Sequence, residues 1–184
     1  MSWIILIAGV ALWWLAHFFK RIAPERRAAM GDRGKAYIAV ALVLSIVLMI
    51  IGYRGTDFIY VWAPPEYMVH VNNLLVLIAI YLMSPAPRRG KLISGMRHPM
   101  LTGFALWAFA HLLVNGDLAA IVLFGGLLAW AIVEIPVINA AEPEWTPPTG
   151  GSYSRDAMFA VASVILLVVI GWIHGWLGAW PFPS

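Results

Sequence analysis

Five histidines are spread along this 184-residue chain, and with no cysteine present they are its main candidates for metal or cofactor chemistry. His17, His70, His98, His111 and His174 all lie in or beside apolar stretches, as do Asn72, Asn73 and Glu134. Polar side chains in such surroundings are costly, so each is a functional candidate. A neutral imidazole suits a metal or a haem iron, and haem b usually takes two of them, from facing helices. The doublet Arg97-His98, followed by Pro99, stands at the mouth of an apolar segment. There it suits an anionic group such as a phosphate or a haem propionate. The chain has no H-E-x-x-H, P-loop or G-x-S-x-G pattern, so hydrolase and nucleotide-phosphate readings have no motif behind them. Met49, Met68, Met83, Met96 and Met100 read as packing residues rather than axial ligands.

The elements that must position these groups are membrane helices. The chain is 62% hydrophobic and only 11% charged. Its mean hydropathy is +0.83, well outside the soluble range. Crossing the hydrocarbon takes roughly 20 helical residues. Six stretches qualify, near 2–20, 35–53, 67–84, 98–114, 118–138 and 157–178. The fold expected is an all-α, polytopic transmembrane bundle of about six helices, forming a single integral-membrane domain over 1–184. Asn115-Gly116-Asp117 predicts a tight hairpin between the fourth and fifth helices, and the Pro- and Gly-rich run from Glu142 to Asp156 predicts a flexible loop.

Charge orients the bundle. Of the 12 Lys and Arg residues, only Arg54 falls in an even-numbered loop, so loops 1, 3 and 5 are expected in the cytoplasm and both termini in the periplasm. The first helix is followed by Lys20-Arg21 rather than a cleavage site, which reads as an uncleaved span. The net charge of +3 is accounted for by these loops, and no basic soluble face remains to bind nucleic acid. The bilayer is the expected partner. Two polar tiers follow: an inner one of His17, Arg97, His98 and Glu134, and an outer one of His70, His111 and His174. His111 lies thirteen residues, or about 20 Å, along its helix from His98.

The run RHPMLTGFALWAFAHLLVNGDLAAIVLFGG resembles the signature of the NnrU family of bacterial membrane proteins. It is also similar to the 15-cis-zeta-carotene isomerases of plants and cyanobacteria, which share R-H-P, Gly103, Trp107 and Ala110-His111. Leu15-Ala16-His17 through Arg21, and Trp62-Ala63-Pro64-Pro65 followed by His70-Val71, extend the likeness over roughly residues 1–140. The resemblance implies a multi-pass protein of the bacterial inner membrane associated with denitrification, that is, with nitrite and nitric oxide reduction. It leaves open whether the chain is an enzyme. From the isomerases it implies haem b on histidine ligands at His17 and His111, serving a redox or isomerase-like role. Where the isomerases carry a cysteine three residues before the ligand, this chain has Ala108.

Depth favours His70 with His111, the resemblance favours His17 with His111, and both pairings stand. Arg97 and His98 would hold propionates or an anionic substrate group. Denitrification enzymes or a hydrophobic small molecule are the implied partners. R-H-P with later acidic residues such as Glu144 also resembles S-adenosylmethionine-dependent membrane methyltransferases, although Leu101 stands where those carry an aromatic residue. A non-catalytic accessory role is the third reading.

Overall fold

The computed structural model describes residues 1–183 and consists of helices joined by short connections. The six long ones are α1 (Ser2–Ile22), α2 (Arg33–Gly55), α3 (Met68–Met83), α4 (Pro99–Val114), α5 (Leu118–Ala141) and α6 (Tyr153–Trp176). α1, α2, α5 and α6 are long and apolar enough to cross a membrane, while α3 and α4 are shorter apolar helices of 16 residues each. Large apolar side chains such as Val40, Ile50, Val161 and Ile165 face outward on α2 and α6. Lipid, not water, is the environment that tolerates such surfaces.

Small residues set the packing. Gly9 of α1 lies against the Met49 backbone, Gly52 of α2 lies against the Leu6 backbone, and Ser45 Oγ donates to Gly9 O at 2.9 Å. α1 and α2 therefore pair as a close antiparallel hairpin. Gly103 does the same for α4 against Ala79 of α3. α5 packs between α1 and α4, and α6 leans on α3. The polar turn 115–117 closes the α4–α5 hairpin as expected, with Asp117 Oδ1 accepting from Ala120 N at 2.9 Å. Val61 N and Trp62 N both donate to Gly116 O, which holds the loop before α3 onto that turn.

Two local features depart from the sequence reading. Residues Ile121–Gly125 form a π-helical turn inside α5, a wider coil that admits one extra residue. The run from Glu142 to Asp156 is not one loop. α6 begins at Tyr153, four residues earlier than expected, because Asp156 is buried and accepts from Tyr81 Oη at 2.8 Å and from the backbone N–H groups of Lys91 and Leu92. An apparent loop acid is thus the anchor of a helix.

Candidate functional site

The interior is organised by two tryptophan–histidine pairs at the same spacing. His17 follows Trp13 by four residues on α1, and His111 follows Trp107 by four on α4. In each, the ring Nδ1 hydrogen-bonds the carbonyl one turn back, His17 to Trp13 O at 2.9 Å and His111 to Trp107 O at 2.8 Å. His174 on α6 repeats the arrangement with Ile170 O at 2.9 Å. A carbonyl only accepts, so Nδ1 carries the proton and Nε2 is left with its lone pair. None of the three Nε2 atoms has a hydrogen-bond partner among the described residues.

Aromatic rings surround both histidines. The His17 ring centre lies 4.4 Å from Trp13 and 4.3 Å from Trp130 of α5. Trp13 stacks on Phe104 at 5.7 Å, Phe104 meets Trp107 at 5.2 Å, and Trp107 meets His111 at 4.8 Å. Phe124, from the π-turn, stacks on His111 at 4.6 Å. A file of rings therefore runs from His17 to His111. Near His17 the Nε1 atom of Trp13 is buried without a hydrogen-bond partner, and beside His111 so is Asn72 Oδ1, while Trp130 faces the Glu134 carboxyl one turn on. Such atoms cost about 1–3 kcal/mol each when left unsatisfied.

Two cavities meet at Trp107 and His174. The larger, about 810 Å³, is walled by Trp13, Met49, Phe104 and Leu127, with Tyr53 and Arg54 at its polar end. The smaller, about 160 Å³, holds His111, Asn72 and Asn73 and is closed by the C-terminal segment through Pro181 and Phe182. Asn73 Nδ2 donates to Pro181 O at 2.9 Å, which fixes that segment.

At the basic end, Arg97 donates to the carbonyls of Glu142 and Pro143, and His98 Nε2 meets Asn139 Oδ1 at 2.7 Å. Glu142 accepts from Arg21 Nη2 at 2.8 Å and has Lys20 at 3.8 Å. The Arg21 hydrogen bond and charge hold the Glu142 carboxyl below the usual carboxylate range. Arg97 and His98 also line a third cavity of about 720 Å³ with Arg88 and Trp145. Glu144 is exposed and does not line it.

The expected tiers are therefore rearranged. Arg97, His98, His17 and Glu134 do not form one network: Arg97 ties the α5–α6 connection to the start of α4, His98 ties α5 to it, and His17 and Glu134 each lie beside Trp130. His70 is exposed at the start of α3, while His174 shares a cavity with His111. His17 and His111 are not brought together. His17 lies at the level of Trp130, which meets Phe104 of α4 at 5.2 Å, and His111 is seven residues, or about 10 Å, further along that helix. Trp13, Phe104, Trp130 and Asp156 were not singled out from the sequence. The signal for the first was the pattern W-x-x-A-H, which occurs at both Trp13–His17 and Trp107–His111.

Residues 5–181 match the family model described as NnrU protein. The chain belongs to the NnrU family. The match takes in α6 as well as the region up to residue 140. No curated protein and no solved structure matches this NnrU chain. Among the described residues no group of three or more His, Asp or Glu side chains is placed to hold a metal ion. A haem iron needs only one or two imidazoles, and on that count the donors fit: the three Nδ1-tied rings offer free Nε2 atoms. A cavity of about 810 Å³ with aromatic walls is within the range of cofactor sites, about 300–1,000 Å³, and of the three rings His174 alone lines it, His111 lying in the cavity of about 160 Å³.

Proposed function

We propose that this NnrU-family chain is a bacterial inner-membrane protein that binds haem b and serves a redox or isomerase-like step associated with nitrite and nitric oxide reduction. In this reading all six long helices span the membrane and both termini face the periplasm, as the gathering of basic residues in loops 1, 3 and 5 supports. The observation that carries the haem reading is the set of half-buried imidazoles held through Nδ1 by a carbonyl one turn back. Such a bond fixes ring and tautomer and makes Nε2 a better ligand. Bound haem would supply one-electron chemistry. The chain's own part is to present His111, to exclude water with the Trp107 and Phe124 rings, and to keep the site apolar. The resemblance offers His17 as second ligand and depth offers His70. Arg97 and His98, held to Glu142, Pro143 and Asn139, keep an anion-contacting role at the cytoplasmic face.

The test is the visible spectrum of the full chain purified in detergent after haem-replete expression. A Soret band present in the native protein and lost in His111→Ala is the expected result; its absence from the native protein overturns the haem reading. A reporter fused at the C-terminal end should be active only outside the cytoplasm. Deletion that leaves nitrite and nitric oxide reduction unchanged counts against the denitrification link.

A further inference from the structure

We infer that the cavity at the basic end of the bundle seats the phosphate head of an anionic membrane lipid, an assignment that rests on the anion-contacting role of Arg97 and His98 above and does not involve haem. The cavity measures about 720 Å³ and lies where α3 ends and α4 begins. Arg97 and His98 line it half-buried, Arg88 adds an exposed guanidinium, and no Asp or Glu side chain lines it. Two of the five N–H donors of Arg97 meet the carbonyls of Glu142 and Pro143, which fixes the guanidinium and leaves donors over. His98 is held through Nε2 by Asn139, and its Nδ1 is left over. Glu142 already has Arg21 and Lys20, and neither Arg88 nor Arg97 has a salt bridge among the described residues. A phosphate supplies the negative charge and acceptor oxygens that this wall lacks.

The remaining lining favours a phosphate that carries a chain. Leu82, Met83, Leu101 and Ile138 form an apolar wall, and Met100, which is exposed, carries it to the outer surface of the bundle. A free phosphate leaves that wall bare; an acyl chain covers it. Helix length points the same way. α3 and α4 have 16 residues each, or about 24 Å, against roughly 30 Å of hydrocarbon, and both end at this cavity. Their shortfall lets a lipid head settle below the level of its neighbours, against Arg97, with its chain still in the bilayer.

The test is titration of the full chain in neutral detergent with dioctanoyl phosphatidate, dioctanoyl phosphatidylcholine and glycerol 3-phosphate, read by native mass spectrometry. Phosphatidate is expected to bind at a single site, about tenfold or more tightly than either of the others. Arg97→Gln should weaken it about tenfold, the scale of one charge-assisted hydrogen bond. Thr146→Trp, which fills the cavity from an exposed position, should abolish binding, and Arg26→Gln in the first basic loop should leave it unchanged. If glycerol 3-phosphate binds as tightly as phosphatidate, the anion-contacting role stands and the lipid assignment falls. If neither binds, both fall. Equal binding of phosphatidylcholine, or equal losses in Arg26→Gln and Arg97→Gln, means a general attraction of lipid to basic loops and overturns the site. Normal binding by Thr146→Trp overturns the choice of cavity. The haem reading is decided separately, by the Soret band.

Discussion

The basic end of the bundle and its aromatic middle treat polar groups in opposite ways. At the basic end Asp156 takes three donors, Arg97 meets two carbonyls, His98 meets Asn139 and Glu142 meets Arg21. In the middle, Trp13 Nε1 and Asn72 Oδ1 are buried with no partner, and three imidazoles keep a free nitrogen. Hydrogen bonds of the first kind stabilise a fold. Unmet ones detract from it, and proteins tolerate them where a site needs them. The contrast makes the basic end the part held together by met hydrogen bonds and the middle the part with ligand atoms to spare.

The largest test of that division is Asp156→Ala, which strands Tyr81 Oη and two backbone N–H groups. It should cost on the order of 3 kcal/mol or more, read by denaturant titration in detergent. A loss below about 1 kcal/mol would mean the latch is not structural. Replacing Glu134 by Met probes the other side. It trades a buried carboxylate, met only by the Trp130 indole and the Arg21 charge, for an apolar side chain, so stability should stay within about 1 kcal/mol of native. A loss comparable to that of Asp156→Ala would erase the contrast.

The Glu142–Arg21 contact gives a smaller, pH-dependent effect. Its folded carboxyl titrates below the ordinary value, so its stabilisation is complete above the unfolded pKa, about 4.3–4.5, and is lost as pH falls through the lowered folded value. A spin label on Thr146→Cys, the chain having no native cysteine, should report a mobile connection below that window and an ordered one at neutral pH. Equal mobility at both would show that the Glu142–Arg21 contact does not order the connection. Least of all should Lys35→Ala matter: its exposed i,i+3 pair with Asp32 at 3.5 Å is worth under about 0.5 kcal/mol.

Much of the architecture was legible in the sequence because lipid leaves so little choice. An apolar run bounded by Pro, Gly or basic residues has to be a helix, and all six fall within a few residues of where composition puts them. The site was less legible. Depth along a helix is readable from spacing, but rotation about its axis is not. That rotation puts His70 outside and His174 on the cavity that His111 lines. Arg97 and His98 read as an anion anchor, and nothing in a local sequence reveals that the guanidinium also meets carbonyls forty-odd residues later. Asp156 was read as loop for the same reason: its donors come from Tyr81, Lys91 and Leu92.

The π-turn at Ile121–Gly125 bears on how these faces are aligned. Each residue advances a helix by about 100°, so the extra residue in that turn offsets the two halves of α5 by about that angle. Phe124, in the turn, faces His111 on α4, while Trp130, beyond it, faces His17 on α1. Deleting one residue between 121 and 125 would rewind the coil and swing Trp130 and Glu134 away from α1 as a unit. The two histidine sites would then be uncoupled by a change that alters neither histidine.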